Sequence, residues 1–203
     1  MSDLCEQSGV ALKKVVKEET MQDSITYFCE EFASGKFVSY SRFKGENFIH
    51  IRVYENIGGR LIPTKRGASF TPGRLRVLLN KTDEIDEQLK LISSSVPCEA
   101  AAGVQYKTHL GAGIFAAIDS KFNGVNLRRY WAPEGQAIIV ATRNGIFLSA
   151  AQWLSMKEKL NELLVKHPEL AIAETCFHQN QLGLLDCHEC LPFGWMLMDM
   201  NGM

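Results

Sequence analysis

The sequence has no apolar run long enough to cross a membrane. Its longest uncharged stretches, such as Gly135 to Thr142, fall far short of the roughly 18 apolar residues a span requires. The opening Met-Ser-Asp-Leu-Cys-Glu lacks the basic stretch and apolar core of a secretory signal. We therefore expect a reducing, intracellular compartment and read nothing into the Asn80-Lys81-Thr82 sequon. In that setting the six cysteines, at 5, 29, 98, 176, 187 and 190, are free thiols or metal ligands rather than disulfides. Net charge is nearly absent: 22 Lys plus Arg stand against 23 Asp plus Glu, giving -1. That balance neither suggests nor forbids a polyanionic partner, so the distribution of charge has to decide. A Cys/His hydrolase needs a base oriented by a third group, nothing in the sequence fixes such a geometry, and we expect no enzyme and no cofactor.

What is present is enough apolar material for a real core, 46% of 203 residues, and an internal repeat. Arg52, Tyr54 and Gly59 recur 76 residues later as Arg128, Tyr130 and Gly135. Gly67, Thr71 and Leu75 recur 78 residues later as Gly145, Ser149 and Trp153. A near-constant offset with one two-residue step is the mark of two copies of one supersecondary unit.

Each unit reads as strands followed by a helix. Phe37 to Phe43 and Phe48 to Tyr54 alternate with period two around Lys44-Gly45-Glu46-Asn47, a hairpin. A third strand is expected at Arg60 to Pro63 and a short fourth at Ala68 to Phe70, with Gly67 between them. Thr71 is a good N-cap with Pro72 at the first helical position, and Leu75, Leu78, Leu79, Ile85, Leu89 and Ile92 form an apolar stripe. The second unit, with a shortened hairpin around Phe122-Asn123-Gly124, ends in a Ser149-x-x-Gln152 capping box and a stripe of Trp153, Met156, Leu160 and Leu163. The expected fold is α+β: two repeats of a curved four-stranded antiparallel sheet followed by a helix, packed as an intramolecular pseudo-dimer. Such a unit is marginal alone, so we expect the two helix stripes to pack on each other. The division is residues 1–35, an acidic and helical N-terminal segment; 36–92, the first unit; 93–103, a linker; 104–166, the second unit; and 167–203, an acidic tail.

Charge is segregated along this division. From Lys36 to Lys81 there are ten basic residues and two acidic ones, a balance of +8. Residues 1–35 carry three Lys against seven acids, and residues 167–203 carry five acids with no Lys or Arg. A basic strand face interleaved with Phe37, Tyr40, Phe43 and Tyr54 suits single-stranded nucleic acid, because cations track phosphates while aromatic faces stack on bases.

These pieces resemble the positive cofactor four family of transcriptional coactivators and single-stranded-DNA-binding proteins. The resemblance rests on Tyr40-Ser41-Arg42-Phe43-Lys44-Gly45, Ile49-His50-Ile51-Arg52-Val53-Tyr54 and Pro63-Thr64-Lys65-Arg66-Gly67, and on Leu127 to Gly135 and Arg143 to Trp153 in the second unit. It implies a dimer whose two sheets form channels for opposing single strands, with stacking and phosphate positions at Phe43 and Lys44. The strand arginine then falls on Arg52 and Arg128, the following aromatic on Trp131 and the loop base on Arg66. Glu55 stands where the family's Trp is expected, Glu46 where it has Lys, and Asn144 where it has Lys. With a balance of only +3 from Lys121 to Arg143, the second unit supplies Trp131 and the first supplies most cations.

The expected function is non-enzymatic binding of single-stranded or melted DNA with little sequence preference, in transcription or replication and in the nucleus. The residues expected to carry it are Lys36, Arg42, Phe43, Lys44, Arg52, Arg60, Lys65, Arg66, Arg128, Arg129, Trp131 and Arg143. The alternative is an interaction module, a coactivator or assembly factor in contact with transcription or replication machinery that has kept the fold and lost the groove. Open sheet edges leave self-association available. In the tail, Cys176, His178, Cys187 and Cys190 are the weak candidates for a zinc site, though their eight-residue spacer is short beside structural zinc sites.

Overall fold

The computed structural model describes residues 24–94, 103–133, 139–175 and Glu189. Two four-stranded antiparallel meanders each precede a helix. The first comprises β1 (Ser24–Ala33), β2 (Lys36–Phe43), β3 (Glu46–Ile57) and β4 (Arg60–Phe70), followed by α1 (Pro72–Ser94). The second comprises β5 (Val104–Gly111), β6 (Ile114–Asp119), β7 (Phe122–Trp131) and β8 (Val140–Ser149), followed by α2 (Ala150–Lys166) and a single 3-10 turn, Pro168–Leu170. No helix among the described residues is long and apolar enough to cross a membrane.

The first sheet begins at Ser24, not at 36, and the helix expected within residues 1–35 is, over 24–33, a strand. Ile25, Thr26, Tyr27 and Phe28 are β-favouring, and the backbone of β2 offers them a partner along its whole length, Ser24 opposite Phe43 through Ala33 opposite Lys36. The acids that suggested a solvated helix instead keep an edge strand polar, with Glu31 exposed. The rest of that segment, residues 1–23, lies outside the described residues. A second correction concerns residues 60–70, which form one strand rather than two. Pro63 is tolerated because β4 is an edge strand, where a missing N–H interrupts no inner ladder.

Both helix starts follow from their caps. Thr71 Oγ1 accepts from the Arg74 N–H at 3.4 Å, and its carbonyl accepts from Leu75 N at 2.9 Å. At Ser149 the capping box is reciprocal: Gln152 N–H to Ser149 Oγ, 3.4 Å, and Ser149 N–H to Gln152 Oε1, 3.2 Å. The buried stripes are Leu75, Leu78, Ile85 and Leu89 on α1 and Trp153, Met156, Leu160 and Leu163 on α2. Fully burying such a side chain contributes about 1.5–3 kcal/mol.

The stripes do not chiefly face each other. α1 lies along β5, β6 and β7 as well as its own β3 and β4, and α2 lies along β1 and β2 as well as β7 and β8. A sheet exposes a broad apolar face that one helix stripe cannot cover, so each helix is shared between both sheets. The helices meet through polar groups: Trp153 Nε1–H donates to Asp86 Oδ1 at 2.6 Å, and Lys157 pairs with the same carboxylate. The edge strands β4 and β8 run beside each other without joining the two ladders. One core cluster spans both units, from Phe28 and Ile51 to Leu127 and Trp153.

Candidate nucleic-acid interface

Strand alternation assigns the faces. On β3, Ile49 and Ile51 point into the core, so Phe48, His50, Arg52 and Tyr54 stand on the opposite face. There they meet Ser39, Ser41 and Phe43 of β2, Thr26 of β1, and Pro63 and Ser69 of β4 around a groove of about 420 Å³. The groove is built from aromatic rings, hydroxyls and one guanidinium.

A chain of hydrogen bonds fixes its floor. Arg52 Nη2 donates to Ser69 Oγ at 2.7 Å and Nη1 to the Thr64 carbonyl at 2.8 Å. His50 Nδ1 is hydrogen-bonded to Ser69 Oγ at 2.8 Å and its Nε2 to Ser41 Oγ at 3.2 Å, so the ring bridges serines of the two neighbouring strands. Burial, reinforced by the Arg52 charge, pushes the His50 pKa down to about 4. Tyr54 rests against Phe37 at 5.0 Å between ring centroids and shares a 3.0 Å hydrogen bond with Ser39 Oγ; burial raises its phenol pKa. Arg52 Nε is buried without a hydrogen-bond partner among the described residues.

The second sheet repeats this scaffold. Arg128 Nη1 donates to the Thr142 carbonyl at 2.6 Å, as Arg52 does to Thr64. Thr142 Oγ1 donates to the Arg129 carbonyl at 2.7 Å and accepts from Asn144 N–H, as Thr64 does with Val53 and Arg66. Phe115 and Tyr130 sit 5.0 Å apart, the spacing of Phe37 and Tyr54. The arginines also explain two repeated glycines. A Cβ on Gly67 would meet Ile51 O at 2.7 Å and the Arg52 Cβ at 2.8 Å, and one on Gly145 would meet the Arg128 Cβ and Cγ at 2.8 Å. The offset takes a step that the sequence pattern does not display: β2 and β6 are related by 78 residues, β3 and β7 by 76, and β4 and β8 by 78 again. The β6–β7 hairpin is shorter, and nothing in it corresponds to Phe43 and Lys44.

The expected site residues are scattered over several places. Phe43, exposed at the groove mouth, carries Lys44 Nζ 5.5 Å from its ring centroid, and Arg52 forms the floor. Arg42, although adjacent in sequence, alternates to the helix side and donates to the Gly45 carbonyl at 3.2 Å. Arg60 is exposed at the β3–β4 tip, and Arg66 and Arg143 are exposed on β4 and β8. Lys65 and Arg129 line a second cleft, between the sheets. Lys36 is tied to the second unit, donating to the Phe147 carbonyl at 2.9 Å and to Gln152 Oε1 at 2.7 Å; burial and the Arg66 charge lower its pKa. Arg128 is held on its own sheet, and Trp131 stands 52% exposed at the end of β7. Of the aromatics expected on the basic face, Tyr40 is instead buried on the core side beside Tyr27 and His167.

Sequence reading missed Phe48, His50 and the serines of the groove, which are ordinary residues until register gathers them. It also missed Lys107, whose ammonium lies 5.2 Å from the Tyr130 ring centroid and 5.6 Å from that of Phe115. The period-78 alignment puts Lys107 opposite Cys29, an exposed thiol whose pKa burial and Glu30 raise. No group of three metal-ligating side chains occurs among the described residues, and the zinc candidates Cys176, His178, Cys187 and Cys190 lie outside them.

No curated protein and no solved structure matches the chain. Residues 31–81 match the family model described as Transcriptional Coactivator p15 (PC4), so the first sheet and the start of α1 carry a domain similar to that transcriptional-coactivator family, while the second sheet lies outside the match.

Proposed function

We propose that this protein binds single-stranded or melted DNA through the outer face of its first sheet, without catalysis and with little sequence preference, as a nuclear factor of transcription or replication. The observation that carries the reading is the groove itself. Phe43, Phe48 and Tyr54 offer ring faces to bases, and the Arg52 guanidinium is pre-oriented by two hydrogen bonds within the same concavity. Arg52 spends two of its five N–H donors on the protein, which holds the guanidinium in one place. Lys44, Lys65 and Arg60 stand exposed around this face as cations that supply salt-dependent affinity. The match to a transcriptional-coactivator family over these strands supports the assignment. The twin scaffold of the second sheet supports reading the chain as a tandem duplication in which one polypeptide supplies both halves of a dimer. Titration of labelled oligonucleotides over a salt series tests it. Single strands should bind more tightly than duplex, with affinity falling linearly on a logarithmic salt axis. Equal affinity for duplex, or affinity indifferent to salt, sinks it.

A second reading has its own observation. Ile57, Leu61 and Ile62 are exposed together at the β3–β4 tip beside Glu55. That tip suits a protein partner in the transcription or replication machinery. Retention of a partner by a chain that leaves oligonucleotides free would favour it.

A further inference from the structure

The equivalence of the two units fails at one contact, and the failure opens a cleft. Lys36 crosses from the first unit to Phe147 O and Gln152 Oε1 of the second. By the 78-residue offset, the mirror contact would join position 114 to Ser69 and position 74. Position 114 is Ile, which has nothing to donate, and position 74 is Arg rather than Gln. The side filled by a lysine on one flank is therefore open on the other. A cleft of about 660 Å³ lies there, with Arg52, Lys65, Arg74 and Arg129 in its lining. Phe48, Arg52 and Ser69 line both this cleft and the aromatic groove, so the two are continuous.

Arg74 already holds an anion. Its Nε donates to Glu189 Oε2 at 2.6 Å and its Nη2 to Glu189 Oε1, a forked pair on a carboxylate from the acidic tail. The Ala112 N–H donates to the Glu189 carbonyl at 3.0 Å and fixes that residue's backbone. Gly111 makes room: a Cβ there would meet the Arg74 Cγ at 2.9 Å and Glu189 Oε2 at 3.2 Å. His109 nearby stays neutral at physiological pH, since burial pushes it down to about 4 and its Nε2 accepts from the Gly113 N–H. Arg74 is thus the cation that answers Glu189. Planar bidentate binding of a carboxylate is also the geometry with which arginine takes a phosphodiester.

Resting on the single-strand reading above, we propose that the inter-sheet cleft is a second phosphate-binding site for the strand leaving the groove, and that Glu189 occupies its Arg74 as an internal anion which bound DNA displaces. The tether gives the carboxylate a high effective concentration, so it suppresses weak anions while yielding to a polyanion that engages several cations together.

The test is a double-mutant cycle on the full chain: wild type, Glu189→Gln, Arg74→Gln and the pair, each titrated with a fluorescent oligo-dT over a salt series, with a thermal melt of each. Arg74→Gln copies Gln152 of the other unit. Glu189→Gln should bind about 3- to 10-fold more tightly at low salt. Its logarithmic salt slope should stay near that of wild type, because Arg74 ends on a phosphate in both complexes. In the Arg74→Gln background the same change should do nothing. Wild type that binds oligo-dT with an affinity unmoved by Glu189→Gln overturns the displacement and leaves the groove standing. Failure of both wild type and Glu189→Gln to bind overturns both readings. Glu189→Ala repeats the measurement should the Gln variant fail to fold.

Discussion

The two sheets share a scaffold and differ in chemistry. In both, an arginine on the third strand bonds to a threonine carbonyl on the fourth, a glycine makes way for it, and a tyrosine packs on a phenylalanine. Yet His50 becomes Asn126, Ser39 becomes Ala117, Cys29 becomes Lys107, and the Phe43-Lys44 tip has no counterpart. What repeats is what holds backbone together across a bulge, where the register shifts between Arg52 and Tyr54 and again between Arg128 and Tyr130. What differs lies on the sheet face turned from the helices, the buried pair Ser39 and Ala117 included. The single core cluster allows one unit to specialise while the other supports it.

The comparison breaks most severely in the core. Trp153 and Leu75 occupy equivalent helical positions, both buried, but only Trp153 also donates to Asp86 of the other helix. Trp153→Ala should cost about 3–5 kcal/mol and Leu75→Ala about 2–5 kcal/mol, read from urea unfolding as one transition in each case. Two separate transitions would mean that the units fold independently and that the shared core is not cooperative.

Acid should separate the sheets next. A histidine whose folded pKa lies near 4 against an ordinary 6.5 is unprotonated in the fold while the unfolded chain takes up a proton, so stability is full above about pH 6.5 and declines as pH falls toward 4. For His50 the loss reaches at most about 3 kcal/mol. His50→Asn, which copies position 126, should remove that part of the decline and leave the part due to His109. An unchanged pH profile of unfolding in the variant would mean that His50 is not held neutral.

The smallest expected effects are on binding alone. Phe43→Ala should weaken single-strand affinity by about tenfold, one lost base stack, without lowering the melting temperature. Lys44→Ala should flatten the salt slope by about 0.7. Arg143→Ala on the second sheet should do less than either. Equal losses at Arg143 and Lys44 would show that both sheets hold DNA alike.

Much of this was legible before any coordinates. The repeat, the hairpin at Lys44-Gly45, both helix starts and both apolar stripes are written in local chemistry: period-two and period-3.6 alternation, a Thr-Pro cap, a Ser-x-x-Gln box. Phe43, Lys44 and Arg52 were marked by the family resemblance, and Phe43 and Arg52 lie in the groove lining. Strand β1 was not legible, because it ends an acidic segment and its pairing depends on the length of β2. Arg42 and Tyr40 were grouped with the groove although parity sends them to the other side, since a count of basic and aromatic residues carries no face.

By itself the sequence determined the β2–β3 hairpin around Lys44-Gly45, where helices start and which of their faces seek the core, because those choices are settled within a few residues by sterics, capping and periodicity. Only the tertiary structure decided that each helix serves both sheets, that Lys36 crosses to Gln152 while Ile114 cannot cross to Arg74, and that Glu189 reaches that arginine across 115 positions of chain. Those contacts join residues with no local relation, and their energies exist only once two broad apolar sheet faces have been buried against the same pair of helices.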